Sequence, residues 1–332
     1  MIQRCVLSRP ARILACVLCV LALFQHLAAG AISARVVEGQ LEVLIDGKVF
    51  TAYKHAPDLK KPYLYPVVGP ASGQTLTIES HPTQYPHHNS LWFGCDKVNG
   101  GNYWQDENAR GQIVSQGPRI VEGGPERVVI EDECLWRQPG QEPVIRDFRC
   151  ITVTAPSADE RVIDFDITLV PLTDLTIEKT NHSLFSARMV PELSVLSGGV
   201  LINAQGDTKE EGTFGKPSPW ADYSGTRGDI TEGLAILEHP ANRWAPSPWF
   251  TRDYGFFSPT AMYWPEGDAT RIGKNETVTL RYRVIAHAGG VEEAGIATHY
   301  AAYAAAPLSP APGEESASRT EAKRPNVLFI AV

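Results

Sequence analysis

Beyond its first thirty residues this chain has no apolar run approaching the roughly 20 residues that a membrane-crossing helix needs. It has no cluster of lysines and arginines able to track a phosphate backbone, which argues against nucleic acid as a partner. A Gly-rich nucleotide loop, a strand–helix alternation and a repeat of fixed period are all missing. A doubly wound nucleotide-binding domain and a solenoid are therefore not expected. Cysteine is scarce: six in 332 residues, three of which (Cys5, Cys16 and Cys19) lie at the extreme N-terminus. The histidines follow no standard zinc spacing.

What is present begins with an export signal. Arg4, Arg9 and Arg12 form a positive n-region, residues 13–24 an apolar h-region, and Ala28, Ala29, Gly30 and Ala31 a small-residue cleavage site. Residues 1–31 are thus expected to be a signal peptide, with a periplasmic or secreted mature chain and no stable membrane insertion after cleavage. Its removal takes three positive charges and no acids, moving the net charge from −8 to about −11. Cys95, Cys134 and Cys150 remain. Cys134 and Cys150, both in strand-like segments, are the pair to expect in an oxidising compartment, three free thiols being the alternative.

Period-two alternation of apolar and polar residues marks strands over 127–136, 144–154, 161–170 and 277–288. Shorter ones fit 35–37, 41–45, 49–53, 64–68, 75–78 and 234–237. Residues 291–305 alone read as a helix: they follow Gly289-Gly290, carry Glu292 and Glu293 in the first turn and continue with alanines. This predicts an all-β fold, a large antiparallel β-sandwich with one C-terminal helix. Two long segments, 85–110 and 206–226, read as irregular insertions, and loops of that length are usually functional. Residues 32–305 form the domain and 306–324 a Pro-, Ser-, Ala- and Glu-rich linker. Residues 325–332 begin an apolar strand that resembles the opening strand of the sulfatase family.

The densest chemistry lies in residues 81–104, HPTQYPHHNSLWFGCDKVNGGNYW. Its Pro, Gly and Asn content predicts a loop, and its imidazoles and aromatic rings a binding site. Adjacent histidines in extended chain point to opposite sides, so His87 and His88 share a site only if the backbone turns. Either suits a general base; a bound metal is the alternative, and it is not favoured. Trp92, Trp104 and Trp249 are candidates for stacking on sugar rings, with core packing as the commoner role of such side chains. Asp207, Lys209 and Glu210 lie in a charged loop between glycines and offer an acid/base pair and an ammonium. His239 offers a partner acid. Arg252 can grip an anionic group such as a uronate carboxylate, a structural pair with Asp253 being the alternative.

Five ordered motifs then carry a resemblance: HHNSLWF with VNGGNYW, GDTKEEGTFG, WADYSG, EHPANRW with WFTRDYGFF, and LRYRVIAHAG. From about residue 64 to 289 the chain resembles the DUF6807 family, whose members carry the label "methane oxygenase PmoA family". The resemblance implies an exported bacterial β-sandwich protein without an established reaction, its fold like the supersandwich of galactose mutarotases. His87, His88, Asn99, Asp207, Lys209, Glu210, His239, Arg252, Asp253 and His287 match the family pattern, which makes Asn99 a further ligand contact. Where many members read HPHHRSLWFAHGDVNG, this chain has Asn89 for the arginine and Cys95-Asp96-Lys97 for His-Gly-Asp. Membrane methane oxidation needs spanning helices and a copper site, which this sequence does not offer. The expected function is action on, or binding of, carbohydrate, namely polysaccharide fragments or another small-molecule ligand. Hydrolysis, β-elimination and epimerisation are unranked, and the cofactor is unknown. A non-catalytic glycan-binding module and a metal-dependent oxygenase are the alternatives.

Overall fold

The structure, a computed structural model, describes residues 30–105 and 107–313. The expected signal peptide lies, but for its last two residues, outside the described part, as do the sulfatase-like strand and much of the linker. The described chain is a large antiparallel β-sandwich. Its first sheet has eight strands, in the order Ile32–Val37, Gln40–Ile45, Lys48–Lys54, Tyr63–Val67, Leu91–Cys95, Ser183–Arg188, Phe256–Pro259 and Trp249–Arg252. The second has nine. Eight run in the order Val200–Asn203, Trp220–Arg227, Ile230–Glu238, Val278–Ala288, Glu160–Pro171, Ile145–Thr154, Arg127–Arg137 and Gln112–Ser115, and Arg119–Gly123 also pairs with Arg127–Arg137.

Alternation sets the core. Along Arg127–Arg137 every second residue is buried, so Val128, Ile130, Asp132, Cys134 and Trp136 face inward. Phe93 and Phe185 of the first sheet meet Phe165, Trp136 and Tyr282 of the second, with ring centroids 4.9–6.3 Å apart. The same alternation separates the two cysteines expected to pair. Cys134 faces the core across from Asp147, whereas Cys150 lies on the other face across from Glu131, and all three described cysteines are free thiols.

Both segments read as irregular contain regular structure. Leu91–Cys95 and Ser183–Arg188 are neighbouring central strands of the first sheet, buried along their whole length. Residues 206–226 hold a short helix, Lys209–Thr213, and the strand Trp220–Arg227. Strands covered on both faces lose the two-residue rhythm, which is why they were not legible. Thr75 and Thr77 make only isolated bridges. The C-terminal helix begins later than the alanine pattern predicts, at Ile296–Ala305, after Gly295 in the left-handed conformation. It lays Ile296 and Tyr303 on the outer face of the second sheet, against Val162, Trp220, Ala235, Leu237 and Ile285.

Candidate functional site

The outer face of the first sheet carries a second aromatic cluster. In Leu91–Cys95 the pleat sends Leu91, Phe93 and Cys95 to the core and Trp92 outward, where it joins Tyr63, Trp104, Phe250 and Phe256. Gly94 also faces outward, and a Cβ there would come within 2.8 Å of the Tyr103 carbonyl and 3.4 Å of Lys61. Its bare backbone is what lets Lys61 and Trp104 lie down on the strand.

The histidines stand on this floor. A turn from Tyr85 to His88, closed by the His88 N–H donating to the Tyr85 carbonyl at 3.0 Å, bends the backbone. The rings of His87 and His88 therefore meet edge to face at 4.6 Å instead of diverging. His88 is packed by Trp92 (5.4 Å), Phe256 (4.7 Å) and Tyr85 (5.2 Å). Burial, then the neighbouring His87, Arg188 and Lys61, holds its pKa far below the usual imidazole range, so it is neutral.

A third imidazole completes the group. His182, 5.8 Å from the His87 ring, stacks on Trp104 at 5.7 Å. Its Nδ1 lies 3.1 Å from Asp96 Oδ2, and the Thr180 hydroxyl donates to the other carboxylate oxygen. The neutral tautomer that donates Nδ1–H to Asp96 leaves Nε2 as an acceptor, an arrangement suited to a general base. The acid of the Cys95-Asp96-Lys97 departure thus has a defined partner, contributed by the strand neighbour some ninety residues away.

Two cations lie beneath. Lys61 donates to the His87 carbonyl (3.1 Å), Asn89 Oδ1 (3.0 Å) and the Trp104 carbonyl (3.0 Å), and burial followed by the charge of Lys60 pushes its pKa down to about 7. Arg188 lies under the Tyr254 ring at 4.1 Å, and Tyr254 stacks on Tyr85 at 5.2 Å.

The sequence candidates distribute unevenly over this frame. His87, His88, Trp92 and Trp104 come together, with both indoles fully buried as packing beneath the imidazoles. Glu210 and Arg252 lie at the edge of the same face, where Arg252 sits over Phe250 (4.0 Å) and Phe214 (4.8 Å) and bonds Glu210 at 2.9 Å. Its charge is therefore already balanced. Glu210 also ties its loop to the sheet, its N–H donating to Asp253 Oδ1 at 2.7 Å. Lys209 is exposed, and Asp207 accepts from the Asn203 amide at 3.2 Å. Asn99 braces a distant loop, donating to the Asp174 carbonyl and accepting from Thr176 N. Trp249 points between the sheets and donates Nε1–H to the Ser218 carbonyl. His239 is on the opposite side of the sandwich, edge-on to Tyr303 at 4.9 Å. His287 is there too, its Nε2 2.7 Å from Asp222 in a fully buried pair.

Sequence reasoning missed Lys61, His182, Arg188, Tyr85 and Tyr254 as site members. One signal was available for Arg188: an arginine inside the apolar run SLFSARMV is a buried charge in waiting. Among the described residues no three His, Cys, Asp or Glu side chains converge as a metal-ligand set. No described helix is long and apolar enough to cross a membrane. A cavity of about 240 Å³ lies at Pro219, Glu238 and Tyr300, below the size usual for a ligand site. A groove of about 770 Å³ on the second sheet runs beside Ser309–Gly313, and among its lining side chains Arg119 pairs with Glu131 and Arg127 with Glu122. Neither contains the clustered imidazoles, and the histidine face is the stronger candidate on chemistry.

No curated protein matches the chain. Solved structures that match include a putative aldose 1-epimerase from Escherichia coli K12 (12% identity, TM-score 0.34, covering 78% of this chain and 98% of that one). Others are galactose 1-epimerase from Lactobacillus acidophilus NCFM (8%, 0.40, 80% and 100%) and a putative aldose 1-epimerase from Klebsiella pneumoniae (6%, 0.38, 81% and 82%). At such values the likeness carries no argument about chemistry, and the sandwich stands on its own strand pairing. The model of a family of unknown function, DUF6807, matches residues 40–301, and the chain belongs to that family.

Proposed function

We propose that the histidine face of the first sheet binds carbohydrate and transfers protons on it, with His182 as general base and His87 as its acid partner. The observation that carries this is the Asp96–His182 pair beside a second imidazole, on a floor of Trp92, Trp104 and Phe256. The exposed Tyr85 and half-buried Tyr254 rings suit the C–H faces of sugar rings above the buried Trp92, Trp104 and Phe256, and an Asp-oriented imidazole suits removal of a proton. In such a step His182 Nε2 takes a proton from a sugar carbon, and the electron pair of that C–H bond either expels the β-oxygen, protonated by His87, or is held until His87 returns a proton to the opposite face of the same carbon.

Epimerisation and β-elimination fit this equipment better than glycoside hydrolysis. Hydrolases of the common kinds flank the scissile bond with two carboxyl groups. Among the described carboxylates near the imidazoles, Asp96 is engaged by His182, Glu79 by Lys54 and Tyr63, and Glu210 by Arg252. Export, expected from the N-terminus, would bring such a site to polysaccharide fragments outside the cytoplasm.

The test is to offer pooled plant and algal polysaccharide fragments to the wild type and to the His87→Gln/His182→Gln double variant. Binding by both, with turnover by the wild type alone, is expected. Binding without turnover by either would make the protein a glycan-binding module, and no binding would end the carbohydrate assignment.

A further inference from the structure

Several buried and half-buried cations among the described residues are ion-paired. Arg149 meets Asp147 at 2.8 Å in the core, Arg283 meets Asp164 at 2.7 Å, and Arg227 meets Glu232 at 2.6 Å. Arg281 is matched by Asp166, and on the aromatic face itself Lys54 has Glu79 and Arg252 has Glu210. Of the four buried cations among the described residues, Arg149 and Arg281 are paired in this way and Arg188 and Lys61 are not. Arg188 is 2% exposed and Lys61 1% exposed, and neither forms an ion pair among the described residues. Lys61 has three neutral oxygens. Arg188 has Gln84 Oε1, 3.1 Å from Nη2, and the neutral Tyr254 hydroxyl.

A charge left in that state is costly, and the two residues can respond differently. Lys61 can shed its proton near neutrality, as its lowered pKa indicates. Arg188 cannot, because a guanidinium keeps its charge throughout the physiological range. Its Nε and Nη1 have no partner among the described residues, and neither have Trp92 Nε1 and Trp104 Nε1 on the same floor. These four N–H groups all donate. What complements them is rich in acceptors and negatively charged.

We propose that Arg188 anchors an anionic substituent, a carboxylate or a sulfate ester, of the saccharide bound on this face. This rests on the carbohydrate assignment above and adds the ligand's charge to it. Arg188 pairs across the sheet with Phe256, one strand from Trp92, and its guanidinium lies under Tyr254, so the anchor is continuous with the aromatic floor. Displacing Gln84 Oε1 from Nη2 opens a two-pronged edge of the guanidinium to two oxygens of the anion. The segment carrying Gln84 and the half-exposed Tyr85 must yield for this to happen. Lys61, when protonated, adds a second positive charge beneath Trp92.

The experiment measures binding of three oligosaccharide pools of matched length, neutral, uronate-containing and sulfated, to the wild type and to Arg188→Met, alongside the melting temperature of each protein. The wild type is expected to bind one anionic pool at least tenfold tighter than the neutral one; which pool it is names the substituent. Arg188→Met is expected to reduce that affinity to the neutral level while melting no lower than the wild type, since it removes an unbalanced buried charge. If Arg188→Met does not fold, Arg188→Lys, which keeps the charge but loses the fork, is expected to bind the anionic pool with intermediate affinity. Equal binding of neutral and anionic pools by the wild type would overturn the anchor and leave the carbohydrate assignment standing. So would an Arg188→Met protein that melts lower and loses affinity for all pools alike. Failure of every pool to bind would remove both.

Discussion

Asp96 Oδ2 lies 3.1 Å from His182 Nδ1, joining the end of one central strand of the first sheet to the start of its neighbour. The carboxylate selects the tautomer of the imidazole, which is the part of a base that a ligand never touches. Asp96→Asn keeps the shape and the Thr180 contact but no longer selects that tautomer. Turnover of a glycan substrate should fall by roughly 10²–10⁴-fold, with binding changed by less than about threefold. Steady-state kinetics beside calorimetric binding separates the two.

Trp104 is fully buried in the floor, so it should act on binding only through its indole N–H. Its Nε1 has no partner among the described residues, so Trp104→Phe keeps most of the ring against Trp92 and His182 while deleting a donor. Stability should drop by about 1–3 kcal/mol, and ligand affinity should weaken by roughly fivefold. Urea titration and calorimetry check the pair. A large stability loss with unchanged affinity would make the indole purely a packing element.

His239 should not matter to turnover. It lies on the far side of the sandwich, where its Nδ1 accepts from Ala241 N and its ring meets Tyr303. His239→Gln is expected to leave kcat/KM within about twofold of the wild type and to lower stability by about 1 kcal/mol at most. A loss on the order of tenfold or more would place His239 in the chemistry after all.

Lys61 makes stability depend on pH with a defined sign. Below pH 7 both the folded and the unfolded chain carry its proton, and the cost of burying the charge stands in full. Between about 7 and the ordinary value of 10.5 the unfolded chain binds more protons, so this group's contribution to stability rises with pH across that window. Lys61→Met should flatten this slope in urea titrations run across the same range. Affinity for an anionic saccharide should move the opposite way, weakening as pH rises through about 7 in the wild type and not in Lys61→Met.

The sequence was a good guide where one face of a strand meets water. The alternation in 127–136 and 277–288 matches Arg127–Arg137 and Val278–Ala288 to within a residue or so. It failed at Leu91–Cys95 and Ser183–Arg188, which are covered on both faces and therefore carry no rhythm. The site was half legible for the same reason. His87, His88, Trp92 and Trp104 lie within eighteen consecutive residues and announce themselves together. His182, Arg188 and Tyr254 reach them only through strand pairing between residues about seventy to ninety-five apart in sequence, which no local pattern encodes. Arg252 had the right chemistry for an anion contact, but the structure spends its charge on Glu210, and spacing could not reveal that.

The central claim is imidazole proton transfer on a carbohydrate at this face. The most direct measurement is product analysis by NMR and mass spectrometry after incubating the protein with polysaccharide fragments in D₂O containing ¹⁸O-labelled water. The expected products are sugar rings bearing new carbon–deuterium bonds or ring unsaturation, formed by the wild type and lost in Asp96→Asn. New reducing ends carrying ¹⁸O, with neither deuterium on carbon nor unsaturation, would show hydrolysis and contradict it.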